Sequence, residues 1–146
     1  MTETTADHEL TSAETLQALL PDDYVVHPAE DRFIVLSPLE TPDGDRVAIF
    51  VRSREFASNR GSELFTLDDT GDALFRLQTG ATNHDPATVT EAWITNRLAS
   101  VINAFSDDGV LWDEEAEALM VMSVSLSEFR YAVFRLAEAS YRLVAD

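Results

Sequence analysis

The chain contains no lysine and no cysteine, so all ten of its basic residues are arginine. Without cysteine it cannot form a disulfide, a thiolate zinc site or a thiol nucleophile. Cysteine-free composition fits an intracellular protein, and we expect a cytoplasmic location. No apolar run approaches the length of a membrane span, and residues 1–10 are polar and acidic, unlike a signal peptide or an anchor. We therefore expect no membrane association.

Positive charge is scarce, because ten arginines stand against 27 aspartates and glutamates and give a formal net charge of −17 at pH 7. Self-repulsion on this scale strains a compact protein, but 1 M salt screens it by reducing the Debye length to about 3 Å. Arginine keeps its planar, bidentate pairing with carboxylates under these conditions, whereas the long apolar stem of lysine offers little comparable stabilisation. The composition favours a halophilic cytoplasm. The alternative is an ordinary acidic protein from a GC-rich genome, whose codons favour arginine.

The acidic residues extend from Glu3 to Asp146 and form no single long tail. Binding of phosphate groups needs a positive footprint, so we expect no direct binding to nucleic acid. Two interpretations of the acidity remain open. One is a solvated surface, which we favour, and the other is a surface that imitates DNA and occupies the basic groove of a nucleic-acid-binding protein.

Length and apolar content suit a disordered acidic leader at 1–10 followed by a single domain at 11–146. Hydrophobic periodicity predicts the α+β class, with an antiparallel meander, flanking helices and the element order α-β-β-β-β-α-α-β-β-α. The predicted elements are a helix capped at Thr11 and ended by Pro21, strands at 24–26, 32–36, 46–53 and 63–67, turns at 41–45 and 57–61, helices at 72–78 and from Asp85-Pro86 past Phe105, a hairpin of 110–112 with 118–123, and a last helix from Ser125 to about Val144.

Three carboxylates, Asp68, Asp69 and Asp72, surround the predicted turn from a strand into a helix. Clustered carboxylates hold Mg²⁺ or Ca²⁺, or supply a general base, as in a metal-dependent hydrolase. The spacing lacks the later bidentate glutamate of an EF-hand loop. Capping of the helix by Asp68 or Asp69 explains the same residues, and we favour it. We therefore predict no metal and no other cofactor.

Asp43 and Asp45 precede a buried strand, a place where nuclease folds carry an acid followed by Glu-x-Lys on the neighbouring strand. The absence of lysine excludes that arrangement, so turn chemistry is the better account. The histidines lie far apart at positions 8, 27 and 84, and no serine–histidine–acid spacing indicates a triad. The sequence thus predicts no catalytic residues.

Three arginines form a candidate anion-binding or interaction patch. Arg46, Arg52 and Arg54 share parity along one strand and project to the same side of it, with Arg60 in the following loop. Guanidinium groups gathered in this way can receive phosphate or carboxylate. In so acidic a chain we favour pairing with the protein's own carboxylates.

The last predicted helix carries more apolar residues than one stripe can bury. Leu126, Phe129 and Leu136 share a face, while Tyr131, Phe134 and Tyr141 fall largely outside it. Either the helix lies deep in the core, or Phe134 and Tyr141 present a second surface to a partner.

Several stretches carry a resemblance to a known family: T-P-D-G-D-R-V-A-I-F-V, E-L-F-T-L-D-D-T-G-D-A-L-F-R-L, N-R-L-A-S-V-I-N-A-F, D-D-G-V-L-W and the aromatic-rich last helix. Over about Glu30 to Leu143 the chain is similar to the microbial and phage family called domain of unknown function 1828. The resemblance implies that Asp45, Asp68, Asp69 and Gly71 coincide with the family pattern, as turn and cap structure or as function. It implies no activity, cofactor or catalytic residue. Members occur in mobile or phage-linked settings, which implies a regulatory or defence-related binding role.

Three functions remain as hypotheses from the sequence. The preferred one is a regulatory or interaction module that contacts another protein or a second copy of itself, through the last helix. The alternatives are an acidic DNA mimic that inhibits a nucleic-acid-binding protein, and a metal-dependent hydrolase that uses Asp68, Asp69 and Asp72.

Overall fold

A computed structural model describes residues 11–53 and 64–145 of the chain. In these ranges the class and the order of elements are those predicted, with one short 3-10 helix added at Ser106–Asp108. The helices are α1 Ala13–Ala18, α2 Asp72–Thr79, α3 Glu91–Phe105 and α4 Leu126–Ala145. The strands are β1 Val25–Pro28, β2 Phe33–Glu40, β3 Arg46–Ser53, β4 Phe65–Asp68, β5 Leu111–Asp113 and β6 Ala118–Val124. None of the helices in the described ranges is long and apolar enough to cross a membrane.

The strands of the described residues form one antiparallel sheet in the order β1-β2-β3-β4-β6-β5. Strands β1 to β4 make the predicted meander, and β5 with β6 makes the predicted hairpin. Pairing of β6 with β4 was not predicted, and it joins the meander and the hairpin into a single sheet.

One face of the sheet, which we call the inner face, is buried against α4. Ile49 and Leu67 on the central strands are fully buried together with Leu136 of α4. The rings of Phe65 on β4 and Phe129 on α4 lie 6.1 Å apart. Helix α1 packs beside β1, whereas α2 and α3 pack against α4. The helices of the described residues therefore lie on one side of the sheet.

Two predicted helix starts are wrong. Ser12, not Thr11, caps α1, because its side chain accepts the amide hydrogen of Thr15. Asp85 forms a turn instead of opening a helix, with its carboxylate accepting from the amide of Ala87. Helix α3 begins only at Glu91, where Thr90 supplies the cap. In both cases the true cap is the hydroxyl that reaches an amide in the first helical turn.

Strand β2 does not end before Pro38, as predicted, but continues to Glu40. The register shifts between Leu36 and Glu40, so Pro38 lies at an irregular point of the ladder. A proline is tolerated there because no regular strand pair needs its missing N–H. The predicted leader at 1–10, the predicted turn at 57–61, and Arg54 and Arg60 lie outside the described residues.

Candidate functional site

The acidic run at the end of β4 consists of Asp68, Asp69 and Asp72, and their carboxylates point in different directions. Asp69 points inward, and its side chain is almost completely buried. Its Oδ1 accepts the amide hydrogens of Gly71 at 2.9 Å and Leu119 at 3.1 Å, and its Oδ2 accepts the hydroxyl hydrogen of Ser140 at 3.2 Å. Asp69 thereby joins the β4–α2 loop to β6 and to α4, three elements that are distant in sequence.

Burial raises the pKa of Asp69 to about 6, although the hydrogen bonds from Gly71, Leu119 and Ser140 oppose the shift. Both protonation states have hydrogen-bond partners. When Oδ2 carries a proton, the Ser140 hydroxyl can accept it instead of donating. The amides of Gly71 and Leu119 that donate to Oδ1 are therefore paired in either form.

This pKa predicts an unusual pH dependence of stability. Because the folded pKa lies above the unfolded value of 3.8, the folded state binds more protons between these two pH values. Lowering the pH from 7 to 5 should therefore raise the contribution of Asp69 to the free energy of unfolding, by about 1 kcal/mol. The measurement is denaturant unfolding across this range for the wild type and for Asp69→Asn, in which the titration is absent. The difference between the two curves isolates Asp69 from the other acids, and a constant difference would contradict the assignment.

Asp68 points to the opposite side of the sheet from Asp69. Its carboxylate pairs with Arg52 and accepts the amide hydrogen of Thr70 at 2.8 Å. The chain then turns through two left-handed residues, Thr70 with φ 55° and Gly71 with φ 81°. Gly71 is the N-cap of α2 and makes no side-chain capping bond. The prediction that Asp68 or Asp69 caps this helix is therefore wrong, because both carboxylates are engaged before the helix begins.

Asp72, the third carboxylate of the run, belongs to a cluster around Arg76. The guanidinium of Arg76 donates to Asp72 at 2.6 Å, to both oxygens of Asp43 at 2.7 and 2.8 Å, and to Asp45 at 3.1 Å. Burial opposes the charge of Arg76, but hydrogen bonds to Asp72 and Asp45 raise its pKa above the ordinary value. The hydrogen bond from Thr41 lowers the pKa of Asp43. The cluster fixes the β2–β3 turn to α2, so Asp43 and Asp45 serve the turn as predicted and also hold this arginine.

Asp68, Asp69 and Asp72 therefore have different partners: Arg52, two buried amides with Ser140, and Arg76. Within residues 11–53 and 64–145, no group of three histidine, aspartate or glutamate side chains is arranged to hold a metal ion. The geometry of the acidic run gives the hydrolase hypothesis no support.

The side of the sheet turned away from α4, which we call the outer face, carries a continuous cross-strand row. Each member of the row pairs with the next across neighbouring strands: His27, Ile34, Phe50, Asp68, Met120 and Leu111. Ile34, Phe50 and Met120 are only half-buried, and Leu111 is 47% exposed. Four members of the row are apolar, whereas His27 lies at one end and the Asp68 carboxylate interrupts it. Among the described residues, the helices pack mainly against the inner side, and Asp72 and Arg76 of α2 reach the border of the outer face beside Phe50.

Two arginines of the outer face have no carboxylate partner among the described residues. Arg32 lies over the ring of Phe50 at 4.6 Å, and Arg46 donates to the backbone carbonyls of Ser37 and Asp23. Neither forms an ion pair there, whereas Arg52 pairs with Asp68. Arg130 on α4 also has no ion pair among the described residues, so the distinguishing feature of the outer face is that two such arginines lie beside the same apolar side chains.

Two cavities open on the outer face. One of about 500 Å³ lies between Phe50 and Arg76, and one of about 300 Å³ lies between Arg52 and Asp113. We call residues 68–71, which connect β4 to α2, the corner. Thr70, one of its two left-handed residues, lines both cavities. The corner therefore forms the boundary between two depressions of the same surface.

The second surface of α4 is covered only in part, since Tyr131 is 51% exposed and donates a hydrogen bond to Asp108. Phe134 and Tyr141 are half-buried, and the Phe134 ring packs against Tyr24 with centroids 5.3 Å apart. With Leu39 they line a depression of about 410 Å³. The chain's own residues thus cover much of the apolar surface that we assigned to a partner.

The structure brings together most of the predicted site residues. The corner and the outer face carry six of them: Asp45, Arg46, Arg52, Asp68, Asp69 and Gly71. Phe134 and Tyr141 lie apart on α4, and Arg54 is outside the described residues. Sequence analysis missed Arg32, Ile34, Phe50 and Met120. The alternation of Arg46, Ala48, Phe50 and Arg52 was visible, but nothing in the sequence showed that this side of the strand remains uncovered.

Comparison with known protein families, curated proteins and solved structures finds no match, so the resemblance described above stays a prediction.

Proposed function

We propose that this chain is a protein–protein interaction module whose contact surface is the outer face of its sheet. The observation that carries the proposal is the coincidence of two features on one surface. A row of side chains crosses the whole sheet with half-buried Ile34, Phe50 and Met120 in it, and Arg32 and Arg46 flank this row without a carboxylate partner among the described residues. Contact surfaces in complexes combine an apolar centre with arginine and aromatic anchors in this way.

The proposal moves the contact surface from the last helix to the sheet. Phe134 and Tyr141 already pack within the chain, while the outer face has apolar side chains that nothing among the described helices covers. The proposed setting is the high-salt cytoplasm that the composition favours, with a regulatory role of the kind the resemblance implies. In high salt, an apolar centre retains its binding free energy because salt screens the attraction between charges and not the burial of apolar surface.

The proposal is tested by affinity capture from cells that produce the chain, in their own salt, with three baits. The wild type is compared with Phe50→Asp on the outer face and with Phe75→Asp on α2, where the phenylalanine is 61% exposed. Phe50→Asp should lose bound protein by about tenfold or more, since truncation of a central aromatic anchor commonly costs 2 kcal/mol or more. Phe75→Asp should bind as the wild type does.

Thermal unfolding of each bait confirms that it is folded before capture. If the folded Phe50→Asp bait retains the same proteins in the same amounts as the wild type, the outer face is not the contact surface.

A further inference from the structure

We propose that the second half of β6 is a further binding site, which takes a short extended segment of another protein that carries arginine or lysine beside apolar residues. In this mode of recognition a peptide adds a strand to the edge of a sheet, and main-chain hydrogen bonds supply its affinity. The site is separate from the outer face, so the inference goes beyond the proposed function. It is supported by an unpaired stretch of strand, a groove beside that stretch and an excess of carboxylates around the groove.

The second half of β6 has a neighbouring strand on one side only, among the described residues. Strand β4 pairs with β6 as far as Val124, whereas β5 pairs with it only as far as Met120. The amides of Gly109 and Val110, which precede β5, donate to carbonyls of the 3-10 helix and the end of α3 instead of continuing the ladder. Residues 121–124 are therefore left without a strand on the β5 side.

The backbone of Met122 is directed to this unpaired side. The amide of Asp69 donates to the carbonyl of Leu119 at 3.1 Å, so Leu119 directs its backbone groups to the β4 side. Backbone groups alternate between the two edges of an antiparallel strand, so those of Met120 point to β5 and those of Val121 to β4. The N–H of Met122 then points to the β5 side, beyond the end of the ladder. It can donate to the carbonyl of an added strand.

A groove of about 500 Å³ lies beside this stretch of strand. We call it the β6 groove, and it is lined by residues 107–109, residues 121–124 and four side chains of α4: Ser127, Glu128, Tyr131 and Ala132. Helix α4 forms its floor, as it does below the rest of the inner face, and the 3-10 helix forms its far wall. An added strand would occupy the place that β5 leaves empty where the chain turns away at Gly109.

The side chains around the β6 groove suit a segment that contains apolar residues. The described residues expose five large apolar side chains, and three of these, Met122, Leu126 and Tyr131, lie on β6 and the first turns of α4. Successive side chains of a strand point to opposite faces of its sheet. One set of side chains of the segment would therefore contact Tyr131 and Ala132, and the other set would lie beside Met122.

Carboxylates outnumber guanidinium groups around the β6 groove. Asp107, Asp108 and Glu128 line it, and Arg135 lies 3.9 Å from Asp108. Asp107 is exposed and forms no ion pair within the described residues, while Glu128 accepts hydrogens from the neutral amide and hydroxyl of Ser125. Two negative charges thus lack a positive partner there. This potential favours a segment that carries arginine or lysine.

The first strand of the sheet, β1, offers no comparable edge. The side chain of Gln17 covers it, because it donates to the carbonyl of Tyr24 at 2.7 Å and accepts the amide hydrogen of Val26 at 2.8 Å. A covered edge gives little backbone for pairing with another chain.

A short foreign segment suits the β6 groove better than other parts of this chain do. The register of β6 with β4 shifts between Val121 and Val124, and Ser123 has φ 57°. Such a bulge bends the strand, which hinders the edge of a second copy from continuing the ladder. Residues 1–10 carry three acids and no arginine, so charge does not favour them as the occupant.

The test uses synthetic peptides of six residues that are blocked at both ends and labelled for fluorescence anisotropy. One alternates arginine with valine, a second has glutamate in place of arginine, and a third repeats the first with every backbone nitrogen methylated. The methylated peptide keeps the charge and the side chains but has no backbone donors. The arginine–valine peptide should bind the wild type at least about tenfold more tightly than either control peptide.

Reversal of one charge tests the contribution of the carboxylates. Asp107→Arg should weaken binding of the arginine–valine peptide by about threefold or more and strengthen binding of the glutamate–valine peptide. Glu30→Arg is the matched control, since Glu30 is exposed between β1 and β2 and the substitution changes the net charge by the same amount. It should leave both affinities as they are in the wild type.

Amide hydrogen exchange, followed by NMR, locates the contact on β6. A saturating amount of the arginine–valine peptide should slow exchange of the Met122 amide by about tenfold or more, because that N–H then donates to the peptide. The methylated peptide should leave the exchange rate of Met122 unchanged.

A control peptide that binds as tightly as the arginine–valine peptide overturns the proposal, and so does a Met122 exchange rate that this peptide leaves unchanged. Self-association of the wild type that protects Met122 without any peptide would assign the edge to a second copy and overturn the partner named above. If Asp107→Arg fails to fold, the three peptides and the wild type still decide the outcome. The outer face is judged separately by the capture experiment with Phe50→Asp.

Discussion

Replacing Asp69 with alanine is expected to lower the free energy of unfolding by about 3–5 kcal/mol, a large part of the stability of an ordinary domain. The alanine leaves the amides of Gly71 and Leu119 and the hydroxyl of Ser140 without the acceptor that each has in the native structure. Each buried donor left unpaired costs about 1–3 kcal/mol. Urea or guanidinium unfolding at constant salt measures the change.

Asp69→Asn is the matched control for this substitution. Its amide oxygen can accept from Gly71 and Leu119, and its amide nitrogen can donate to Ser140, as the protonated acid does. The asparagine variant should therefore unfold within about 1 kcal/mol of the wild type at pH 7. Equal losses for alanine and asparagine would show that the charge of Asp69, and not its hydrogen bonds, stabilises the fold.

Replacing Gly71 with alanine is expected to cost about 2–4 kcal/mol, for two separate reasons. Its φ of 81° is disfavoured for any residue with a Cβ, at about 1–2 kcal/mol. In addition, a Cβ at this position would lie 3.1 Å from the carbonyl oxygen of Glu117, which is backbone and cannot rotate away. The chain must shift at the corner or in the β5–β6 turn, which adds overpacking strain.

Gly80→Ala separates the two reasons. Gly80 has φ 87° at the C-cap of α2, but a Cβ there would meet no atom within 4 Å. It should therefore show only the backbone cost, about 1–2 kcal/mol. Thermal unfolding of both variants gives the comparison. A Gly80→Ala loss as large as that of Gly71→Ala would mean that the close approach to Glu117 contributes nothing.

Local patterns were sufficient to predict the elements of this fold. The Pro-Asp-Gly turn at 41–45, the stop of α2 at Gly80 and the long amphipathic α4 all follow from residues within a few positions of one another. The wrong predictions of helix starts also have causes within a few residues of each start. Asp85-Pro86 has the composition of a helix start, but Thr90 makes the actual cap.

Long-range contacts decide the candidate site, and the sequence does not show them. The directions of Asp68 and Asp69 follow from strand parity, but their partners Arg52, Leu119 and Ser140 come from three other elements. The grouping of Asp43, Asp45 and Asp72 around Arg76 likewise needs the β2–β3 turn to lie beside α2. The outer face could be recognised only once α4 was found packed against the other side of the sheet.

The absence of cysteine, which limits the chemistry of this chain, also provides the most direct test of the proposed contact surface. A single thiol introduced by Thr66→Cys lies near the middle of the outer face, opposite Arg52, and Phe75→Cys places a control thiol on α2. The measurement is the rate of alkylation of each thiol in high salt, with and without the proteins that the wild-type bait captures. If the outer face is the contact surface, the Thr66→Cys thiol should react more slowly in the presence of these proteins while the Phe75→Cys thiol keeps its rate. A Thr66→Cys rate that the captured proteins leave unchanged would contradict the account.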